Sequence, residues 1–261
     1  MVIRIIKYII SILALIILLV FGVLFSVIKL YDKEIKEIAL NQINNQLISP
    51  MIIQDIELSA FNYFPAISLQ FSNLLIKDPL ANNDTLLFAK NAFLNFDAYD
   101  LINKKYIVRK LVLKNGSLAA KISTDGKENF DVFISKDKSE NNNFKFSLEQ
   151  LTLKDFSVNY QNIPLSQEYD FTISDSKLKG QFSNQEYDLN ILSSMSVNKF
   201  DLEGVNYISS KNANTEIILQ VKNDPFSLAI KKGKLKIADM NFFLEGDYKS
   251  SKKDMINLYI K

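Results

Sequence analysis

Residues Tyr8 to Ile28 form 21 consecutive positions without a charged side chain, most of them Ile, Leu, Val and Phe. As a helix rising about 1.5 Å per residue, this run is roughly 31 Å long, close to the hydrocarbon thickness of a bilayer. A helix in a soluble core would carry polar residues along one face, and this one does not. The alternative is a cleaved signal peptide, whose charged start Arg4 and Lys7 would supply. Its apolar stretch, however, exceeds the usual ~7–15 residues. No small-residue cleavage site follows either, since the exit reads Val23-Leu24-Phe25-Ser26-Val27-Ile28-Lys29-Leu30. The expectation is an uncleaved transmembrane anchor over 8–28. Charge alone does not orient it. Arg4 and Lys7 precede it and Lys29, Lys33 and Lys36 follow, and the positive-inside rule counts both groups.

About 230 of the 261 residues remain beyond the anchor, enough for one large or two small domains. All 29 acidic residues lie after position 30, whereas three of the 31 basic ones, Arg4, Lys7 and Lys29, lie before it. The rest of the chain is therefore nearly neutral, and a nucleic-acid partner is not expected. Cys, His and Trp are all absent. Without Cys there is neither a disulfide nor a thiolate site. Without His the Ser-His-Asp and Cys-His arrangements are gone, with the commonest general base and most transition-metal sites. The chain reads as a non-enzyme needing no cofactor and no metal.

After the anchor, 32–47 reads as an amphipathic helix. Ile35, Ile38, Ala39, Ile43 and Leu47 recur at three- and four-residue spacing, Asp32 stands as N-cap, and Ser49-Pro50 ends the pattern. From Ile52 onward the pattern turns to short alternating segments such as Ile67-Ser68-Leu69-Gln70-Phe71 and Ile217-Ile218-Leu219-Gln220-Val221. Asn, Asp, Gly, Ser and Pro punctuate them. About a dozen strands are expected, in a mainly β chain with an elongated antiparallel sheet. A first β region spans 52–134 and a second spans 144–261, divided by an exposed loop at 135–143. One repeat is readable. Leu111-Val112-Leu113-Lys114-Asn115-Gly116-Ser117-Leu118 returns 40 residues later as Leu151-Thr152-Leu153-Lys154-Asp155-Phe156-Ser157-Val158, and more weakly as Leu235 to Phe242. Each copy reads as a strand, a polar turn and a return strand, so the sheet is expected to grow by repeated hairpins.

Paired acids occur at Asp97 with Asp100, Glu168 with Asp170, and Glu186 with Asp188. They could do acid–base work, but exposed turn positions are the usual home of Asp and Glu. Basic clusters at Lys104, Lys105, Arg109, Lys110 and Lys114, and at Lys231, Lys232, Lys234 and Lys236, could meet anionic headgroups or line a solvent face. The apolar strand face is the remaining candidate site. A curved single layer would leave it open as a groove, and a closed sandwich would bury it; alternation is identical in both. The candidate groove-lining positions are Ile67, Leu69, Phe71, Leu111, Leu113, Leu118, Ile122, Leu151 and Leu153.

The order of anchor, short helix and Ile53-Gln54-Asp55-Ile56-Glu57-Leu58 resembles the N-terminal region of the AsmA family of bacterial envelope proteins. The blocks Tyr63 to Pro79, Val108 to Leu118 and Asp125-Gly126-Lys127-Glu128-Asn129-Phe130 carry the same resemblance, over about residues 1–160. It implies residues 1–7 in the cytoplasm, a single-pass inner-membrane anchor and the β region in the periplasm. It also implies kinship with chorein-type bridge proteins, a phospholipid ligand carried in an apolar β groove, and a role in outer-membrane biogenesis. The alternative is a non-enzymatic scaffold acting on the assembly of other envelope proteins. Family members are usually much longer, so the chain, which stops on the strand pattern Ile256 to Lys261, is expected to be a truncated version.

Overall fold

The computed structural model describes residues 33, 35–37, 39–41, 43–45, 47–59, 67–81, 84–132, 144–182, 184–250 and 255–261. The expected anchor at 8–28, the N-cap Asp32 and the loop at 135–143 lie outside these residues. Among the described residues no helix is long and apolar enough to cross a membrane.

The described helical positions of α1 fall between 33 and 45. Ile35 and Ala39, one turn apart, are fully buried, while Lys33, Glu37 and Asn41 are exposed, which is the amphipathic stripe expected. Asn44 Oδ1 accepts from the Met51 N–H at 2.9 Å and ties the helix to the first strand.

The rest of the described chain is mainly β, in one long open sheet of 12 strands. These are β1 (Met51–Ile52), β2 (Asp55–Ser59), β3 (Ile67–Lys77), β4 (Thr85–Phe96), β5 (Tyr106–Ile122) and β6 (Phe144–Asn162). They continue as β7 (Gln167–Lys179), β8 (Glu186–Leu202), β9 (Val205–Asn223), β10 (Phe226–Ile237), β11 (Met240–Lys249) and β12 (Met255–Ile260). From β3 to β12 each strand hydrogen-bonds to the next in sequence, and both β1 and β2 pair with β3 at the other end. A five-residue helix α2 (Ala98–Ile102) joins β4 to β5, N-capped by Asp97, whose side chain accepts from the Tyr99 and Asp100 N–H groups.

Two sequence expectations are corrected here. The sheet is not wholly antiparallel: β5 and β6 run parallel. Parallel neighbours need a crossover of a dozen residues or more, and the stretch between Ile122 and Phe144 provides it. Because β5 and β6 are neighbours, the two β regions are one continuous sheet. The second correction concerns the repeat. Asn115 and Asp155 are not hairpin turns but lie inside the long strands β5 and β6, with φ of 53° and 49°. The two copies lie side by side in register, Leu111 beside Leu151, Leu113 beside Leu153 and Leu118 beside Val158. Only the third copy is a hairpin, β10 turning into β11 at Ala238.

The left-handed residues line up across the sheet. Asn73 in β3 (φ 51°) has the level of Lys90 in β4, which has the level of Asn115, which lies beside Asp155. At this seam the inward-facing alternation slips by one residue in each strand, from Phe71 to Leu74, Ala92 to Ala89, Leu113 to Gly116 and Leu153 to Phe156. Gly116 is required by close approach. A methyl there would lie 2.6 Å from Phe156 Cε2 and collide with the Phe88 carbonyl oxygen.

The core forms on the inward face of β3–β7 under α1. Ile35 and Ala39 share one cluster with Ile67, Leu69, Phe71, Ala89, Ala92, Leu94, Phe156 and Ile173. A buried polar link closes its rim. Asn129 Nδ2 donates to Asp78 Oδ2 at 2.8 Å and to the Ala119 carbonyl at 3.0 Å, and Asn129 Oδ1 accepts from the Lys121 N–H at 2.7 Å. It fastens the β3–β4 turn to the crossover.

Candidate functional site

Strand register builds one apolar face from the sequence upward. Directly opposed residues in paired strands share a face, so continuous rows can be followed across the sheet. One row runs Leu69, Leu94, Leu111, Leu151, Leu178, Ile191 and Ile217. The next runs Phe71, Ala92, Leu113, Leu153, Ser176, Ser193, Thr215, Leu235 and Phe242. A third, Leu74, Ala89, Gly116, Phe156, Ile173, Met195, Ala213 and Ile237, crosses at the seam. No charged side chain stands in any of the three.

All nine candidate lining residues occupy this face. Ile67, Leu69 and Phe71 in β3 are fully buried in the core shared with α1, and Leu113 is 7% exposed. Leu111, Leu118 and Leu153 pack partly buried against that cluster, and Leu151 and Ile122 are half-buried. These positions form the covered end of the face.

The open end lies further along. Phe171, Met195, Val197, Phe200, Ile208, Ala213, Thr215, Ile217, Leu235, Ile237, Phe242, Leu244 and Ile260 line an apolar cavity of about 420 Å³ drawn from β7 to β12. Thr215 is its single polar residue. Met195, Ala213, Thr215, Ile217, Leu235 and Ile237 extend rows that begin in the covered core. Tyr160, Tyr169 and Phe200 stack across β6, β7 and β8 with ring centroids 5.6 and 4.7 Å apart, paving the approach. Burial, with a smaller contribution from Tyr160, raises the Tyr169 hydroxyl pKa above its ordinary 10.0.

The cavity positions were not singled out from sequence, although Ile217-Ile218-Leu219-Gln220-Val221 alternates as clearly as Ile67 to Phe71. Alternation marks a face, not what covers it.

The acid pairs have structural partners. Asp100 and Glu149 share Arg109 at 2.9 and 2.8 Å, and these bonds raise the guanidinium pKa further. Glu168 and Asp201 share Lys199 at 2.7 and 3.0 Å, while Asp170 accepts from Asn198. Glu186 meets Lys222 and Asp188 meets Lys231. Among the described residues no three Asp, Glu, His or Cys side chains converge to hold a metal ion. Lys232 pairs with Glu216 on the outward face, and Lys234 adds to the field that lowers the Glu216 pKa, behind the hydrogen bond from Lys232.

Comparison with protein-family models, with curated proteins and with solved structures finds no match to this chain. Asp78, just past the end of β3, bonds Asn129 in the connection that follows β5.

Proposed function

We propose that the chain is an inner-membrane-anchored periplasmic protein of AsmA type, and that it binds or passes phospholipid acyl chains along the inward face of its sheet. The observation that carries this reading is the cavity of about 420 Å³ whose 13 lining residues, from six successive strands, include one polar side chain. A volume of that size falls in the range of ligand sites. An apolar surface left open over so many strands favours an apolar, extended ligand. The seam of left-handed residues supports a curved sheet, because such positions bend strands sharply, and curvature turns an open face into a groove. A lining without charges and with a single hydroxyl, that of Thr215, suits acyl chains and leaves headgroup recognition to other parts of the protein.

Affinity in such a groove is spread over many contacts at about 25 cal/mol per Å² of apolar area. The test is lipid extraction and mass spectrometry on the full chain purified in detergent. Phospholipid is expected to accompany the wild type and to be lost from an Ile237→Arg variant that keeps its β-sheet circular-dichroism signal. Protein free of lipid, or equal lipid in both, would overturn the reading. Cross-linking in cells that yields protein adducts alone would favour the scaffold.

A further inference from the structure

Along β6, β7 and β8 the inward face changes from apolar to polar toward one end of the strands. Val158, Phe171 and Val197 form one row across them. The next row toward that end is Tyr160, Tyr169, Phe200 and Ile208, and beyond it Asn162 lies opposite Gln167. Each step from row to row is about 7 Å, two residues of strand. Phe171, Val197, Phe200 and Ile208 all line the apolar cavity, so the two tyrosines stand at its border. Their rings are held firmly. Tyr160 and Tyr169 stack at 5.6 Å with planes 10° apart, Phe200 stacks on Tyr169, and Phe130 lies 6.5 Å from Tyr160. Their hydroxyls are not held in the same way. Tyr160 accepts a long bond of 3.5 Å from Asn162 Nδ2, and neither phenol donates its O–H to an acceptor among the described residues. Both side chains are half-buried, so the pair can be reached by a ligand in the groove.

We propose that the Tyr160 and Tyr169 hydroxyls bind the ester carbonyl oxygens of a glycerolipid whose acyl chains lie on the apolar rows. The inference rests on the reading of this face as a lipid groove, and adds the point at which the lipid is gripped. The order of the rows matches a diacyl lipid, with hydrocarbon first, then two hydrogen-bond donors, then amides. Directly opposed residues have Cβ atoms about 5 Å apart, so two donors on neighbouring strands suit two esters on neighbouring glycerol carbons. Charge selects the ester over the phosphate. Phosphate oxygens are bound most strongly by Arg and Lys, and neither the tyrosine row nor the Asn162 row carries a charge. The neighbouring Lys199 alternates with Phe200 onto the outward side, where Glu168 and Asp201 hold it at 2.7 and 3.0 Å. Burial, with a smaller contribution from Tyr160, raises the Tyr169 pKa above 10.0 and keeps that hydroxyl a neutral donor. A site built to hydrogen-bond a group rejects the analogue that lacks it. An ether-linked lipid has the same chains and headgroup without the carbonyls, so the groove should prefer the ester.

The test is a competition on the full chain in detergent. Micelles carry equal amounts of diacyl phosphatidylethanolamine and its dialkyl ether analogue of matched chain length, and mass spectrometry reads the ratio retained by the protein. The wild type is expected to enrich the ester about tenfold, the effect of two neutral hydrogen bonds. Tyr160→Phe and Tyr169→Phe together keep both rings and the stack, and should bring the ratio to about one while chain-driven retention of both lipids persists. Circular dichroism of that double variant should match the wild type. Equal retention of the two lipids by the wild type would overturn the proposal and leave the groove standing. If that equal retention also fell for both lipids alike in the double variant, the hydroxyls would hold the phosphate instead. An ester preference that survives both substitutions would overturn the proposal too, by placing the carbonyls elsewhere. Wild-type protein that retains neither lipid would overturn the lipid reading itself and this inference with it.

Discussion

Asn115 and Gly116 show how two residues shape a sheet. Asn and Asp tolerate φ near +50° better than other side chains because their short polar arms bond locally. Asn115→Gly should therefore be nearly neutral, whereas Asn115→Val, β-branched in a left-handed site, should cost about 1–2 kcal/mol. Gly116→Ala drives a methyl against Phe156 and the Phe88 carbonyl, and should cost about 1–3 kcal/mol of overpacking. Urea midpoints of the three variants check the order. Asn129→Ala would remove three hydrogen bonds around the buried Asp78 and should lose about 1–3 kcal/mol by the same measurement. Asp125 offers a pH test. Hydrogen bonds from Lys127 and Ser123 hold its carboxyl at about 2, below the ordinary 3.8. A depressed carboxyl favours the folded turn above pH 3.8 and loses that preference as pH falls through about 2. NMR titration should find this midpoint, and Lys127→Ala should move it up toward 3.8. An unchanged midpoint in that variant would mean the ion pair does not form in solution.

Among the elements, α1 and the strands were legible to different degrees. The helix follows directly from the three- and four-residue spacing of Ile35, Ala39 and Leu47. Strand existence was equally readable from alternation at Ile67–Phe71 and Ile217–Val221, but strand length was not. Asn115 and Asp155 carry the chemistry of a turn, and the same chemistry serves a mid-strand bend, so segments read as hairpins are single strands of 17 and 19 residues. The 40-residue repeat was visible, yet its meaning, two copies in parallel register, depends on a crossover that no local pattern encodes. Cover was illegible for the same reason, since Leu113 under the core and Ile237 in the cavity look alike in sequence. Their difference is now testable. Leu113→Arg places a charge in a closed core and should unfold the sheet, at a cost of about 3–5 kcal/mol. Ile237→Arg lies at the open end and should keep the fold while reducing bound phospholipid about tenfold or more.

At the scale of the whole molecule, one face runs from a core sealed by α1 to an open apolar lining over β7–β12. The covered end gives the sheet a fixed nucleus of packing, and the uncovered end exposes apolar area that water disfavours. Such a division suits a protein that is filled by a ligand or a partner at one end only. On the proposed reading the uncharged lining places affinity in distributed contact. The claim that lipid occupies this face is tested most directly by a photo-cross-linking amino acid at Ile237 in full-length protein within cell membranes, with Lys236, its outward neighbour, as control. The account predicts phospholipid adducts at 237 and few at 236. Equal labelling at both, or adducts at 237 that are only protein, would contradict it.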